Sequence, residues 1–121
     1  MNRFLSVLVL LFLYLASNGF AQDPLKVDSN IYKLVLENEQ ARLLEVTFKP
    51  GDSIGVHSHP DHFVYVTSAG KLNITVPGEK PQVFDLKKGE AVFIPAQSHS
   101  AVNVGNTELK ALVIELKKPK K

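Results

Sequence analysis

The sequence predicts an all-β protein, a sandwich or barrel of about eight short strands preceded by an N-terminal signal peptide. Three observations point to this class. The chain of 121 residues is 45% hydrophobic and lacks a long polar tract, which suits one domain and is too little for two. After about residue 25, β-branched and aromatic residues come in short runs separated by Gly, Pro and Asn. No stretch beyond the N-terminal segment keeps a helical period over three turns.

Met1-Asn2-Arg3 carries a positive charge, and Phe4 to Leu15 is apolar except for Ser6. Gly19-Phe20-Ala21 then places small residues three and one positions before a cut after Ala21. This is the pattern of a secretory signal peptide, residues 1–21, and the mature chain is expected to begin at Gln22. The alternative, an uncleaved anchor, needs a span of roughly 20 apolar residues, and the run is shorter. The expected location is secreted or periplasmic, with no membrane association once the signal is removed. Residues 22–30 read as a flexible lead-in, 31–116 as the domain and 117–121 as a basic tail.

Within the domain, Ile31 to Leu36 is the first strand candidate, and Glu37-Asn38-Glu39-Gln40 turns the chain. Ala41 to Phe48 alternates, with Leu44, Val46 and Phe48 on one face, and Lys49-Pro50-Gly51-Asp52 ends it. Phe63 to Thr67, Leu72 to Val76 and Val83 to Leu86 follow, divided by Ser68-Ala69-Gly70 and by Pro77-Gly78-Glu79-Lys80-Pro81. Ala91 to Ile94, His99 to Val104 and Leu109 to Leu116 complete the set.

Composition excludes several chemistries. There is no cysteine, so disulfides, thiolate metal sites and cysteine nucleophiles are ruled out. Net charge is only +2, and the one dense basic run is the tail Lys117, Lys118, Lys120 and Lys121. Such a tail is a solvated terminus, and no nucleic-acid partner is expected.

All four histidines fall in two short segments: His57, His59 and His62 in one, His99 in the other. On an extended strand His57 and His59 share a face. With His99 from a neighbouring strand they form a facial set for a divalent metal that leaves positions open. Taken alone, His-Ser-His also suits an ordinary polar face.

The run Gly51-Asp52-Ser53-Ile54-Gly55-Val56-His57-Ser58-His59, followed by Gly70, resembles the first cupin motif, G-x5-H-x-H-x3-E-x6-G. Gly89-Glu90-Ala91-Val92-Phe93-Ile94-Pro95, then His99 and Asn103, resembles the second, G-x5-P-x-G-x2-H-x3-N. The resemblance runs from about Val35 to Leu116. It implies a double-stranded β-helix, the cupin jelly-roll barrel, with its pocket in the barrel mouth. It also implies His57, His59 and His99 as ligands of Fe, Mn, Ni or Zn.

The departures bear on function. The family's glutamate ligand should fall at position 63 or 64, where this chain has Phe63 and Val64. Gln97 replaces the second motif's glycine, and the gap from Pro95 to His99 is one residue short. Three neutral imidazoles would leave a bound ion its full charge. Phe63 is expected to point into the pocket beside His57 and His59, with Phe93 completing an apolar wall. His62 is a candidate further ligand: regular alternation turns it away, but Pro60-Asp61 interrupts the strand and permits either side. Tyr65 lines the pocket or packs in the core. Arg42 is either an anion-binding pocket residue or a rim residue reaching solvent. Asn103 is expected to pair with backbone near a strand end.

The functional expectation is a metal-binding cupin acting on a small organic, anionic substrate, in the manner of a dioxygenase or isomerase. The alternatives are a non-catalytic module for a sugar or aromatic acid and a structural role through dimerisation. A homodimer is expected in either case. No carboxylate general base is evident on the pocket face, which favours redox or Lewis-acid chemistry over proton transfer.

Overall fold

The computed structural model describes residues 22–119. The expected signal peptide lies outside the described residues. One short helix, α1 (Pro24–Val27), precedes nine strands: β1 (Tyr32–Glu37), β2 (Ala41–Phe48), β3 (Ser53–His59), β4 (His62–Ser68), β5 (Gly70–Thr75), β6 (Gln82–Leu86), β7 (Ala91–Ile94), β8 (Gln97–Asn103) and β9 (Leu109–Leu116). They form two antiparallel sheets, β1-β2-β9-β4-β7 and β3-β8-β5-β6. The expected β2, β7 and β9 match residue for residue, β1, β4, β5, β6 and β8 shift by one or two residues, and β3 is a ninth strand for which no bounds were expected.

Alternation decides what faces inward. In β2 the buried side chains are Leu44, Val46 and Phe48; in β9 they are Leu109, Ala111, Val113 and Glu115. These apolar residues join Ile31, Tyr32, Ile54, Leu72 and Ala101 in one core. The apolar part occupies the end where Phe48 pairs with Leu109. At the opposite end Glu115 pairs with Arg42 on one side and His62 on the other. The barrel is thus apolar at its base and polar at its mouth. Turn chemistry supports the strand ends: Gly51 and Gly89, the leading glycines of the two motifs, take φ of 84° and 88°, where a Cβ would be strained. Asn103 closes the base by donating from Nδ2 to the Phe48 and Thr107 carbonyls, both at 2.9 Å.

The segment after Gln22 departs from the expected flexible lead-in. Asp23 caps α1 by accepting the Leu25 amide at 3.0 Å, and Pro24 fits the first helical turn, where its missing N–H is no loss. The Gln22 carbonyl accepts the Ser58 amide at 2.7 Å, and Pro24 is buried. Polar composition suggested disorder; a cap, a proline and a cross-barrel ion pair impose order instead.

Candidate metal centre

Strand β3 carries His57 and His59 inward, and β8 places His99 directly opposite His57 in register. One potential ligand nitrogen from each of the three lies within 4.8 Å of the others. The sequence reading of these three residues as one cluster therefore holds geometrically.

The outer nitrogen of every imidazole is committed. Nδ1 of His57 donates to the Gly55 carbonyl at 2.9 Å, and that of His59 to Glu115 Oε2 at 2.6 Å. Nδ1 of His62 donates to the Pro60 carbonyl at 2.7 Å, and that of His99 to Gln97 Oε1 at 2.7 Å. Each acceptor is an oxygen without a proton, so Nδ1 carries the hydrogen and Nε2 is the nitrogen left for a ligand. This is the tautomer that metal ligation through Nε2 requires, locked by a second layer of acceptors. The residues present fit a late transition metal bound by nitrogen.

Burial keeps the His57, His62 and His99 rings neutral. It pulls His57 down to about 4 and His99 to about 3, with the neighbouring histidines adding to the shift of both. His62 is lowered for the same first reason. The consequence for metal-free protein follows by linkage. The unfolded chain takes up protons near the ordinary histidine value of 6.5, while the folded chain does so only near 4 and 3. Stability should be unaffected by these groups above about pH 6.5 and fall steadily as pH drops from there toward 3. Urea midpoints measured across pH 8 to 4 check this; a midpoint that rises on acidification would contradict it.

The mouth also holds two residues that the sequence reading did not select. Glu115 is 2% exposed and receives His59 on one oxygen and Arg42 on the other, through Nε at 2.9 Å and Nη2 at 2.7 Å. Burial alone would raise its carboxyl, but the hydrogen bonds from His59 and Arg42 outweigh this and hold it below its ordinary value. The signal was its parity with Leu109, Ala111 and Val113. Tyr32, from β1, is buried with its hydroxyl 3.5 Å from Nε2 of both His57 and His59. Burial, then the Glu115 charge, pushes its phenol upward, so it stays protonated in the metal-free protein.

Five positions need correction or refinement. Phe63, expected in the pocket, is 45% exposed on the outer face and packs edge-on against Phe93, itself 51% exposed. Tyr65 points outward with them. The reason is the break at Pro60-Asp61, which resets the alternation so that His62, not Phe63, begins β4 facing inward. His62 is buried, with its ring 4.6 Å from that of His59. Arg42 is neither a free anion site nor a solvent-reaching rim residue. Its guanidinium bridges Glu115 and Asp23, the latter at 2.9 and 3.0 Å, and it lines a cleft of about 340 Å³ with Asp23, Glu37, Ser58 and Lys117.

The comparisons agree with this geometry. The family model described as the cupin domain matches residues 44–115. A search of curated proteins finds no significant match. Among solved structures, a cupin domain from Bordetella pertussis Tohama I is 29% identical, with a TM-score of 0.68 over 73% of this chain and 93% of its own. An RmlC-like cupin family protein with a double-stranded β-helix fold from Methanocaldococcus jannaschii is 15% identical, with a TM-score of 0.59 over 71% of this chain and 78% of its own. A conserved protein with a double-stranded β-helix domain from Klebsiella pneumoniae is 24% identical, with a TM-score of 0.56 over 74% and 84%. The last two likenesses speak to fold alone. Two sheets closed over an inward histidine cluster, and a family match spanning most of the domain, lead to one conclusion: the chain belongs to the cupin family.

Proposed function

We infer that this protein is an exported cupin that holds one divalent transition metal on His57, His59 and His99 and acts on a small organic anion. The observation that supports this most is the set of buried, convergent imidazoles whose Nδ1–H groups are all anchored. Bound Fe, Mn, Ni or Zn would supply a Lewis-acid centre, or a redox centre in the case of iron or manganese. Three neutral ligands leave its charge uncancelled, which favours an anionic substrate. The buried carboxylate, Glu115, is saturated by His59 and Arg42, so it is poorly placed to act as a general base. Dioxygenase-like or isomerase-like chemistry fits this better than simple proton transfer. Secretion or periplasmic residence rests on the pattern in residues 1–21. Metal analysis of purified protein tests the reading: near one equivalent of transition metal supports it, whereas a folded protein that takes up none points to a non-catalytic ligand-binding module.

A homodimer belongs to this reading. Leu36, Leu43, Ile114, Phe63 and Phe93 are cross-strand neighbours in one row over the outer face of the five-stranded sheet. At ~4.8 Å per strand the row is ~19 Å long and centred on Ile114. A two-fold axis through that centre superposes the row on itself, which is the requirement for an isologous interface with a second copy. Phe63→Glu is expected to convert a dimer to a monomer in light scattering while metal uptake stays unchanged. A wild type that is monomeric at high micromolar concentration would overturn the dimer.

A further inference from the structure

The three histidines come from one sheet, β3 and β8, and the other sheet sets three groups against them: His62 and Glu115 beside His59, and a phenol between His57 and His59. Tyr32 Oη is 3.5 Å from His57 Nε2 and 3.5 Å from His59 Nε2. Both nitrogens are left for a ligand, since the Nδ1–H groups are taken by Gly55 and Glu115. As a hydrogen bond this is poor, because O–H donors sit ~2.8 Å from their acceptors and here one hydroxyl is shared evenly between two at longer range. As the edge of a coordination polyhedron it is apt: two donors at ~2.1 Å from a tetrahedral ion lie ~3.4 Å apart. The ring is fixed in that position, packed at 5.4 and 5.6 Å from the two imidazole centroids. The buried carboxylate of the mouth does not compete. Both oxygens of Glu115 are engaged, and Phe63 and Val64 stand where the family's glutamate would be.

We propose that Tyr32 is the oxygen ligand of this metal centre, replacing the carboxylate the chain lacks. This rests on the three-histidine reading above. On ligation the phenolic O–H bond breaks, the metal–oxygen bond forms and the proton passes to solvent, with no change of oxidation state. A buried phenol beside a carboxylate gives up that proton to a strongly Lewis-acidic ion, so ferric iron is the form that engages it fully. The site then becomes three nitrogens and one anionic oxygen.

A phenolate on ferric iron has an intense visible charge-transfer band, which gives a readout independent of activity. The full chain is loaded with ferric citrate, desalted, and its iron content and spectrum are recorded. The expected result is about one iron per chain and a visible band in the wild type. Tyr32→Phe should still take up iron on the histidines but lose the band entirely. The chain has three tyrosines, Tyr14, Tyr32 and Tyr65, so a Tyr14→Phe/Tyr65→Phe double variant keeps only Tyr32 and must retain the band. That variant decides the matter even if Tyr32→Phe fails to fold. Iron bound to the wild type without the band, or a band lost in the double variant, overturns the tyrosine ligand and leaves the histidine site standing. Failure of the wild type to take up iron or any divalent ion overturns both.

Discussion

His57→Ala and His99→Ala are each expected to abolish metal binding at concentrations that saturate the wild type. Second-layer partners alone typically tune affinity 10–100-fold, so removing one of three nitrogen ligands should weaken binding by at least ~100-fold. The clearest readout is thermal. A ligand at 100 times its Kd stabilises a fold by about 2.7 kcal/mol. For a domain of this size that is a shift in Tm of roughly 10–20 °C. The wild type should show such a rise on adding Zn²⁺ or Mn²⁺, and the two variants should show none. His62→Ala is the control. It is buried next to His59 but outside the set of three convergent nitrogens, so most of the rise should survive. The reverse pattern, with metal retained by the first two and lost by the third, would show that the ligand set is wrong.

The second large effect is expected at Glu115. Its carboxylate is the one anion shared by His59 and Arg42, and all three side chains are mostly or fully withdrawn from water. Glu115→Ala would leave the His59 Nδ1–H without its acceptor and Arg42 with Asp23 alone. Breaking a buried pair by removing one partner costs about 3–5 kcal/mol, and the surviving Asp23 contact places this case near the lower end. A fall in Tm of roughly 12–24 °C follows for metal-free protein. Metal affinity should fall as well, by about 10–100-fold, because the second-layer group that sets the His59 tautomer is gone. Glu115→Gln separates the two roles. Its amide oxygen can still accept from one donor, so it should recover part of the stability while leaving affinity low. A Glu115→Ala protein as stable as wild type would mean that the Arg42–Glu115–His59 chain contributes nothing to the fold.

Much of this was legible along the chain because β-strands write their burial locally. Leu44, Val46 and Phe48 alternate with Glu45 and Thr47 whatever the rest of the molecule does, whereas in β9 Leu112 and Ile114 on the other face are apolar too. The histidine pair was legible for the same reason: His57 and His59 are two apart on one strand, and His99 occupies the matching place in the second motif. The four-residue helix α1 was not visible, since its order depends on Asp23 reaching Arg42 and on the Gln22 carbonyl reaching Ser58.

The sequence by itself determined an all-β chain, the boundaries of eight strands to within a residue or two, the family resemblance, and the three histidines that share a site. Only the tertiary structure decided which face β4 presents, because Pro60-Asp61 breaks the period and pairing with β9 then turns His62 inward and Phe63 outward. Only the fold could reveal the oxygens that meet the histidines. Glu115 reaches His59 across 56 residues of sequence, and Tyr32 lies 25 residues from His57 and on the other sheet. Alternation says that a side chain points inward; strand pairing across the barrel decides what it meets there.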